Sequence, residues 1–179
     1  MEKTEKLMSF TDLLYQRKSI REFSDYLLSD AQIVSLMEAA TRAPNACNLQ
    51  SWHFYVTINR DVINDFYPDV YGGMWVTDAS VIIVVCTDAE KLEQRFGDRG
   101  SNLFAVQDTA AAINNILLQA TNMGLGGCWI GAFNEEKCRE LLKIPAERRP
   151  VALLPIGLPK SEPPMRDRKP LNDVVTLIK

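Results

Sequence analysis

The sequence predicts an α+β fold in which helices lie on a sheet, and three stretches carry that prediction. Residues 52–58, Trp-His-Phe-Tyr-Val-Thr-Ile, alternate large apolar side chains with more polar ones, the period of a half-buried strand. Ser80 to Thr87 is instead almost continuously apolar and β-branched, as a central strand covered on both faces requires. Leu103 to Met123 carries Leu103, Val106, Ala110, Ile113, Leu117 and Ala120 at helical spacing. At about 1.5 Å per residue that helix spans a small domain, which makes it the central buried helix.

The remaining elements follow in chain order. Ser9 with Asp12, then Leu13 and Leu14, predicts a capped amphipathic helix that runs into Arg17-Lys18. Ser29 and Gln32 form a second capping box ahead of Ile33, Leu36, Met37 and Ala40, and that helix must stop before Pro44. Gly124 is placed to end the long helix. Cys128 to Phe133 then reads as a short strand, Asn134 caps a helix through Leu142, and Val151 to Leu158 reads as a further buried strand despite Pro155. From Pro159 the character changes: Pro159, Pro163, Pro164 and Pro170 surround Met165-Arg166-Asp167-Arg168-Lys169, predicting an extended tail. Val174 to Ile178 is apolar again, so the tail of residues 159–179 is expected to lie against a second subunit. Residues 1–179 read as a single domain without repeats or an interdomain linker.

Composition excludes several classes of function. With 179 residues, 46% hydrophobic and 24% charged, the chain suits one globular core rather than a disordered or fibrous protein. A net charge of −3 supplies no global positive field for nucleic acid or an anionic membrane, so any anion must be bound locally. Met1 to Lys6 is charged where a signal peptide needs an apolar run, and Val81 to Cys86 is too short to span a bilayer, which predicts a cytoplasmic protein. Cys47, Cys86, Cys128 and Cys138 are scattered, with only His53 to complete a metal set, so no metal site is expected and all four read as buried free thiols.

Three segments place cations, amides or small residues at the ends of elements. Arg17-Lys18-Ser19-Ile20-Arg21 sets three cations and a hydroxyl after a helix; such a group either complements the helix dipole or forks onto a phosphate. The loop from Ala43 to Trp52, Ala-Pro-Asn-Ala-Cys-Asn-Leu-Gln-Ser-Trp, is either an ordinary Asx-type turn or a set of amides reading the edge of a heterocycle. Gly124-Leu125-Gly126-Gly127-Cys128-Trp129-Ile130-Gly131-Ala132-Phe133 either stops a helix in a tight turn or brings bare backbone up to a ligand. Its glycine spacing matches neither a P-loop nor a dinucleotide fingerprint.

In this order, and with Arg166-Asp167-Arg168-Lys169-Pro170 in the tail, the segments resemble the FMN-binding nitroreductase family over nearly the whole chain, from about Phe10 to Leu171. The resemblance implies a three-layer fold, a mixed but mostly antiparallel central sheet flanked by helices, in an intertwined homodimer with FMN at the subunit interface. By similarity, Arg17 and Ser19 with Arg166 and Arg168 hold the FMN phosphate, and Lys18 lies near the ribityl chain. Arg21 matches a cation close to flavin N1 and O2. Pro44, Asn45 and Ala46 come from the other subunit, while Asn48 and Gln50 face the ring and ribityl. Trp129 and Ile130 stand beside the ring, and Gly131 offers its backbone N–H to flavin N5, the reactive atom. Many relatives carry serines where this chain has Asn45 and Ala46.

The function so implied is ping-pong hydride transfer from NADH or NADPH through FMN to a nitroaromatic, quinone or similar small acceptor, with no protein nucleophile. Two further readings stand beside it: a flavin-binding sensor or carrier without turnover, and a relative that removes halogen from aromatic substrates. A non-flavin binding protein whose arginines only carry surface charge is a third. A substrate lid is expected in Asp88 to Asn102, with Tyr71-Gly72-Gly73-Met74-Trp75 as the other candidate lining.

Overall fold

Strand β2 (Val81–Asp88) organises the molecule, because every residue from Val81 to Thr87 is buried. The structure, a computed structural model, describes residues 8–179; the charged start Met1–Lys6 lies outside the described residues. Strand β1 (Trp52–Thr57) and strand β4 (Arg148–Gly157) flank β2 antiparallel, and the two-residue strand β3 (Gly126–Gly127) pairs with the far side of β4, giving the order β1-β2-β4-β3. The parallel pairing among the described residues is the single bridge from Ser19 to Gly127.

Alternation along β2 builds the layers. Val81, Ile83 and Val85 face a core formed with Leu36 and Ala40 of helix α2 (Asp30–Thr41) and with Ile113, Ile116 and Leu117 of helix α5 (Ala105–Asn122). Ile82, Val84 and Cys86 face a second core that holds Ile63, Phe66, Val70 and Val76, and Cys138 of helix α6 (Glu135–Leu142). A strand with apolar residues on both faces is thereby covered on both, as the sequence predicts.

The local signals work where they are short-ranged. Helix α1 (Phe10–Gln16) and α2 both carry reciprocal capping boxes, Ser9 with Asp12 and Ser29 with Gln32. Asn134 caps α6 by accepting from Lys137 N at 3.0 Å. Gly124, at φ 69°, ends α5 in the left-handed conformation that favours glycine. Helix α3 (Arg60–Asn64), capped by Asn59, and helix α4 (Glu90–Phe96) are short and have no apolar stripe to announce them. The stretch 88–102, expected as a polar lid, is tied down by Leu92 of α4, which is fully buried, and continues through a π-helical turn at Gly100–Phe104 into α5. Tyr71 and Trp75 stack edge to face and pack on the second core rather than standing open.

Two expectations need correction. The strand placed at Cys128 to Phe133 is instead Gly126–Gly127, followed by an isolated bridge from Ile130 to Leu153. Pro155 is the cause: its carbonyl accepts from Cys128 N at 3.3 Å, but it has no N–H to donate back, so the ladder breaks there and resumes at Ile130. Because that vacant donor position faces β3, the β2–β4 ladder runs past Pro155 intact. Cys47 is the second correction. It is exposed, on a turn at φ 53°, while Cys86, Cys128 and Cys138 are buried as expected.

Candidate functional site

The site is assembled from the two ends of the described chain. At Arg17 the backbone leaves α1 for an extended path, and Ile20 N donates to Gly127 O at 3.0 Å. The buried Ile20 side chain sits so close to Gly126 that a Cβ there would run into it, which is why this edge of the sheet needs glycine. With Ile20 turned inward, Ser19 and Arg21 turn the other way. The chain then pairs with the tail: Phe23 bridges Pro159, Ser24 N donates to Leu158 O at 2.9 Å, and Lys160 N donates to Glu22 O at 2.9 Å. Ser161 Oγ adds a 2.6 Å bond to Glu22 Oε2.

This pairing folds residues 163–168 back over residues 17–21. Arg17, Lys18, Ser19 and Arg21 from the first segment, with Arg166 and Arg168 from the second, line one cavity of ≈ 220 Å³ walled by Pro163, Pro164 and Met165. Among the described residues, five cations and no carboxyl group line it. Lys18 is partly neutralised from outside the cavity by Glu162, at 2.9 Å. In an otherwise acidic chain, such a pocket suits a multiply charged anion bearing several oxygens. Arg168 is held there by Nη1, which donates to the carbonyls of Arg166 (2.9 Å) and Asp167 (3.3 Å) and leaves its other N–H groups free to turn to a ligand.

Cys128 borders the cation cluster. Burial pushes its thiol above the ordinary range, against the opposing pull of Arg21, Ser19 and Arg17. The thiol therefore stays protonated near neutral pH and supplies no thiolate nucleophile. Beside it, Trp129 is partly exposed, and the position where Gly131 would carry a side chain faces open space. Ile130, expected next to a ring, points into the second core under the sheet, and its backbone N–H and C=O are both paired with Leu153.

The loop from Ala43 to Ser51 stands apart from this cavity within one chain. Cys47, Asn48 and Gln50 all adopt positive φ, near 53–55°, conformations that are costly for residues with a Cβ. Asn45 holds the loop from inside: its Oδ1 accepts from Gln50 N at 2.9 Å and its Nδ2 donates to Ala43 O at 3.3 Å. Pro44, Asn48 and Gln50 are exposed. Ala46 is fixed from outside, its N–H donating at 2.9 Å to Oδ1 of Asp108, while Ser51 Oγ donates at 2.7 Å to Oδ2 of the same side chain. Asp108 is a residue that the sequence reading missed. The available signal was an acidic side chain on the buried stripe of α5, three residues after Ala105 and four before Ala112.

The structure thus brings Arg17, Lys18, Ser19, Arg21, Arg166 and Arg168 into one cavity, sets Cys128 and Trp129 at its side, and keeps Pro44 to Gln50 elsewhere on the same chain. A profile of the nitroreductase family matches residues 14–80 and 70–158. The oxygen-insensitive NADPH nitroreductase of Salmonella typhimurium is 32% identical over 171 residues, which cover 92% of this chain and 71% of that protein. A nitroreductase family protein of Clostridium novyi NT, known from its crystal structure, aligns with a TM-score of 0.78 at 33% identity over 86% of each chain. The NADPH:FMN oxidoreductase of Vibrio harveyi, solved with NAD+, shares the fold at a TM-score of 0.85 and 23% identity, covering 94% of this chain and 76% of that one.

Proposed function

The chain belongs to the nitroreductase family, and on that premise we propose that it is an NAD(P)H-dependent FMN oxidoreductase working as a homodimer. One observation carries the reading: guanidinium groups from both ends of the chain, Arg17 and Arg168 among them, meet in a pocket that suits a phosphate near −2. Arg17, Ser19, Arg166 and Arg168 hold that phosphate, and Lys18, already paired with Glu162, lies toward the ribityl chain. When bound, FMN supplies hydride chemistry at its N5.

The protein's own contribution is to bind, orient and polarise. Arg21, on the Cys128 side of the cavity, places a cation by the flavin pyrimidine, where it stabilises negative charge and favours hydride acceptance. Trp129 would flank the flavin ring, and Gly131, with open space where a side chain would stand, would offer its backbone N–H to N5. Pro44, Asn45 and Ala46 of the second subunit complete the slot, and Asn48 and Gln50 of that same loop meet the ring and ribityl. Supporting a second subunit, Leu171, Val174, Val175, Leu177 and Ile178 of the tail are all exposed on the isolated chain, as are Phe10, Leu14 and Tyr15 of α1. NADH or NADPH would supply the hydride, and the acceptor would be a nitroaromatic, quinone or similar small molecule.

The test is the visible spectrum of the purified protein, identification of the released cofactor, and anaerobic titration with NADH and then NADPH. FMN released in stoichiometric amount and bleached by a nicotinamide is the expected result. A colourless protein that ignores added FMN and oxidises neither nicotinamide refutes the proposal. Retained FMN without nicotinamide oxidation would make the chain a flavin carrier instead.

A further inference from the structure

A single buried side chain on the central helix holds the loop that the proposed function assigns to the flavin ring. Asp108 sits in the first turn of α5, 5% exposed, and both of its carboxyl oxygens are engaged by that loop. Oδ1 accepts from Ala46 N at 2.9 Å and Oδ2 accepts from Ser51 Oγ at 2.7 Å, contacts that span 62 and 57 residues of sequence. They clamp the loop at both ends of the run Cys47, Asn48, Gln50, whose backbones all hold positive φ. Residues with a Cβ leave such conformations unless their surroundings over-determine them. Within the run itself, the side-chain bonds are the Asn45–Gln50 contact and a 3.4 Å bond from Gln50 Nε2 to Asn48 O.

We infer that Asp108 is a positioning residue for the flavin reaction: through Ala46 and Ser51 it fixes the conformation of the 45–51 loop, and so the placement of Asn48 and Gln50 against the ring. This inference rests on the flavin reading above. It separates two functions in space. The cation cavity formed by residues 17–21 and 166–168 holds the cofactor, whereas α5, through Asp108, aims the groups that meet the reacting end. Asp108 touches neither substrate nor cofactor, so its loss is felt as misalignment, and small misplacements of aligned groups cost large factors in rate.

The geometry also predicts which substitution is tolerated. Asn at this position keeps an oxygen to accept from Ala46 N and offers an N–H to Ser51 Oγ, since a hydroxyl accepts as readily as it donates. Ala removes both contacts.

The experiment compares Asp108→Ala, Asp108→Asn and Ser51→Ala with the wild type, all as FMN-loaded protein, in FMN affinity, visible spectrum of bound flavin, and the rate of anaerobic reduction by the preferred nicotinamide. For Asp108→Ala the expected outcome is FMN affinity within about threefold, because the phosphate pocket is untouched, with a shifted flavin spectrum and reduction slower by about tenfold or more. Asp108→Asn restores spectrum and rate to near wild type, and Ser51→Ala, which keeps the Ala46 contact, falls between. Should Asp108→Ala fail to fold, the ordering of Ser51→Ala below Asp108→Asn carries the same decision. Wild-type spectrum and rate in Asp108→Ala, or in Ser51→Ala where that variant decides, overturn the inference while leaving the flavin reading intact. A wild-type protein that binds no FMN overturns both.

Discussion

Replacing Arg17 and Arg168 together by alanine separates the two halves of the phosphate pocket from the rest of the site. The two side chains come from opposite ends of the chain and line the same cavity, but neither contributes to the core. A hydrogen bond to a charged group contributes about 1.5–3 kcal/mol. Arg168 is exposed and commits Nη1 to its own backbone, so the low end applies. Two such losses give about 3 kcal/mol, which at about 1.4 kcal/mol per tenfold is roughly a hundredfold weaker binding of FMN. The assay is quenching of flavin fluorescence on titration of apoprotein, run in parallel with riboflavin, which has the same ring and no phosphate. The variant should lose affinity for FMN and keep whatever affinity the wild type shows for riboflavin, and the wild-type advantage of FMN over riboflavin should shrink with added salt. FMN affinity within about twofold of wild type would refute the phosphate assignment, since two charge-assisted contacts at about 1.5 kcal/mol each predict a far larger loss.

Three other outcomes follow from the same geometry. Arg21→Ala should leave FMN bound but slow its reduction in stopped-flow measurements, and an unchanged rate removes Arg21 from the mechanism. Ellman's reagent should label one thiol quickly in the native apoprotein and four after unfolding, the fast one disappearing in Cys47→Ser, because Cys86 and Cys138 are buried with thiols pushed up to about 12 and Cys128 is buried as well. His53 is held below its ordinary 6.5, mainly by burial and then by the Arg148 guanidinium. The unfolded chain therefore takes up this proton first, so the contribution of neutral His53 is complete above pH 6.5 and declines as the pH falls toward the folded value. Thermal melts should show a smaller loss between neutral and mildly acidic pH in His53→Gln than in the wild type.

The parts of the fold that were legible in the sequence are those decided by neighbours a few residues apart. Ser9 and Asp12, Ser29 and Gln32, and Asn134 announce helix starts because the bonds they make close within three residues. The burial of β2 was legible because a strand covered on both faces has no room for polar residues. The cation cavity was legible only through resemblance: nothing in the spacing of Arg17 and Arg168 says that residues 22–24 pair with 158–160. Asp108 carried only a weak signal, its place on the buried stripe of α5, since its partners lie 57 and 62 residues away and an acidic residue in the first turn of a helix has an ordinary explanation in the dipole. The break between β3 and the Ile130 bridge escaped notice because it depends on which neighbour Pro155 faces, a property of sheet order rather than of either segment.

The backbone seam between residues 22–24 and 158–160 has a consequence for how the chain can be shortened. It sets the register of Arg166 and Arg168 relative to Arg17, holding mutually repelling guanidinium groups together before any counter-charge arrives. Ending the chain after Gly157 would remove the seam and two of the five cations in one cut, yet leave the four strands of the described residues with their partners. A fragment of that kind would be a folded scaffold whose grip on phosphate had been amputated, with folding and recognition parted at a single peptide bond.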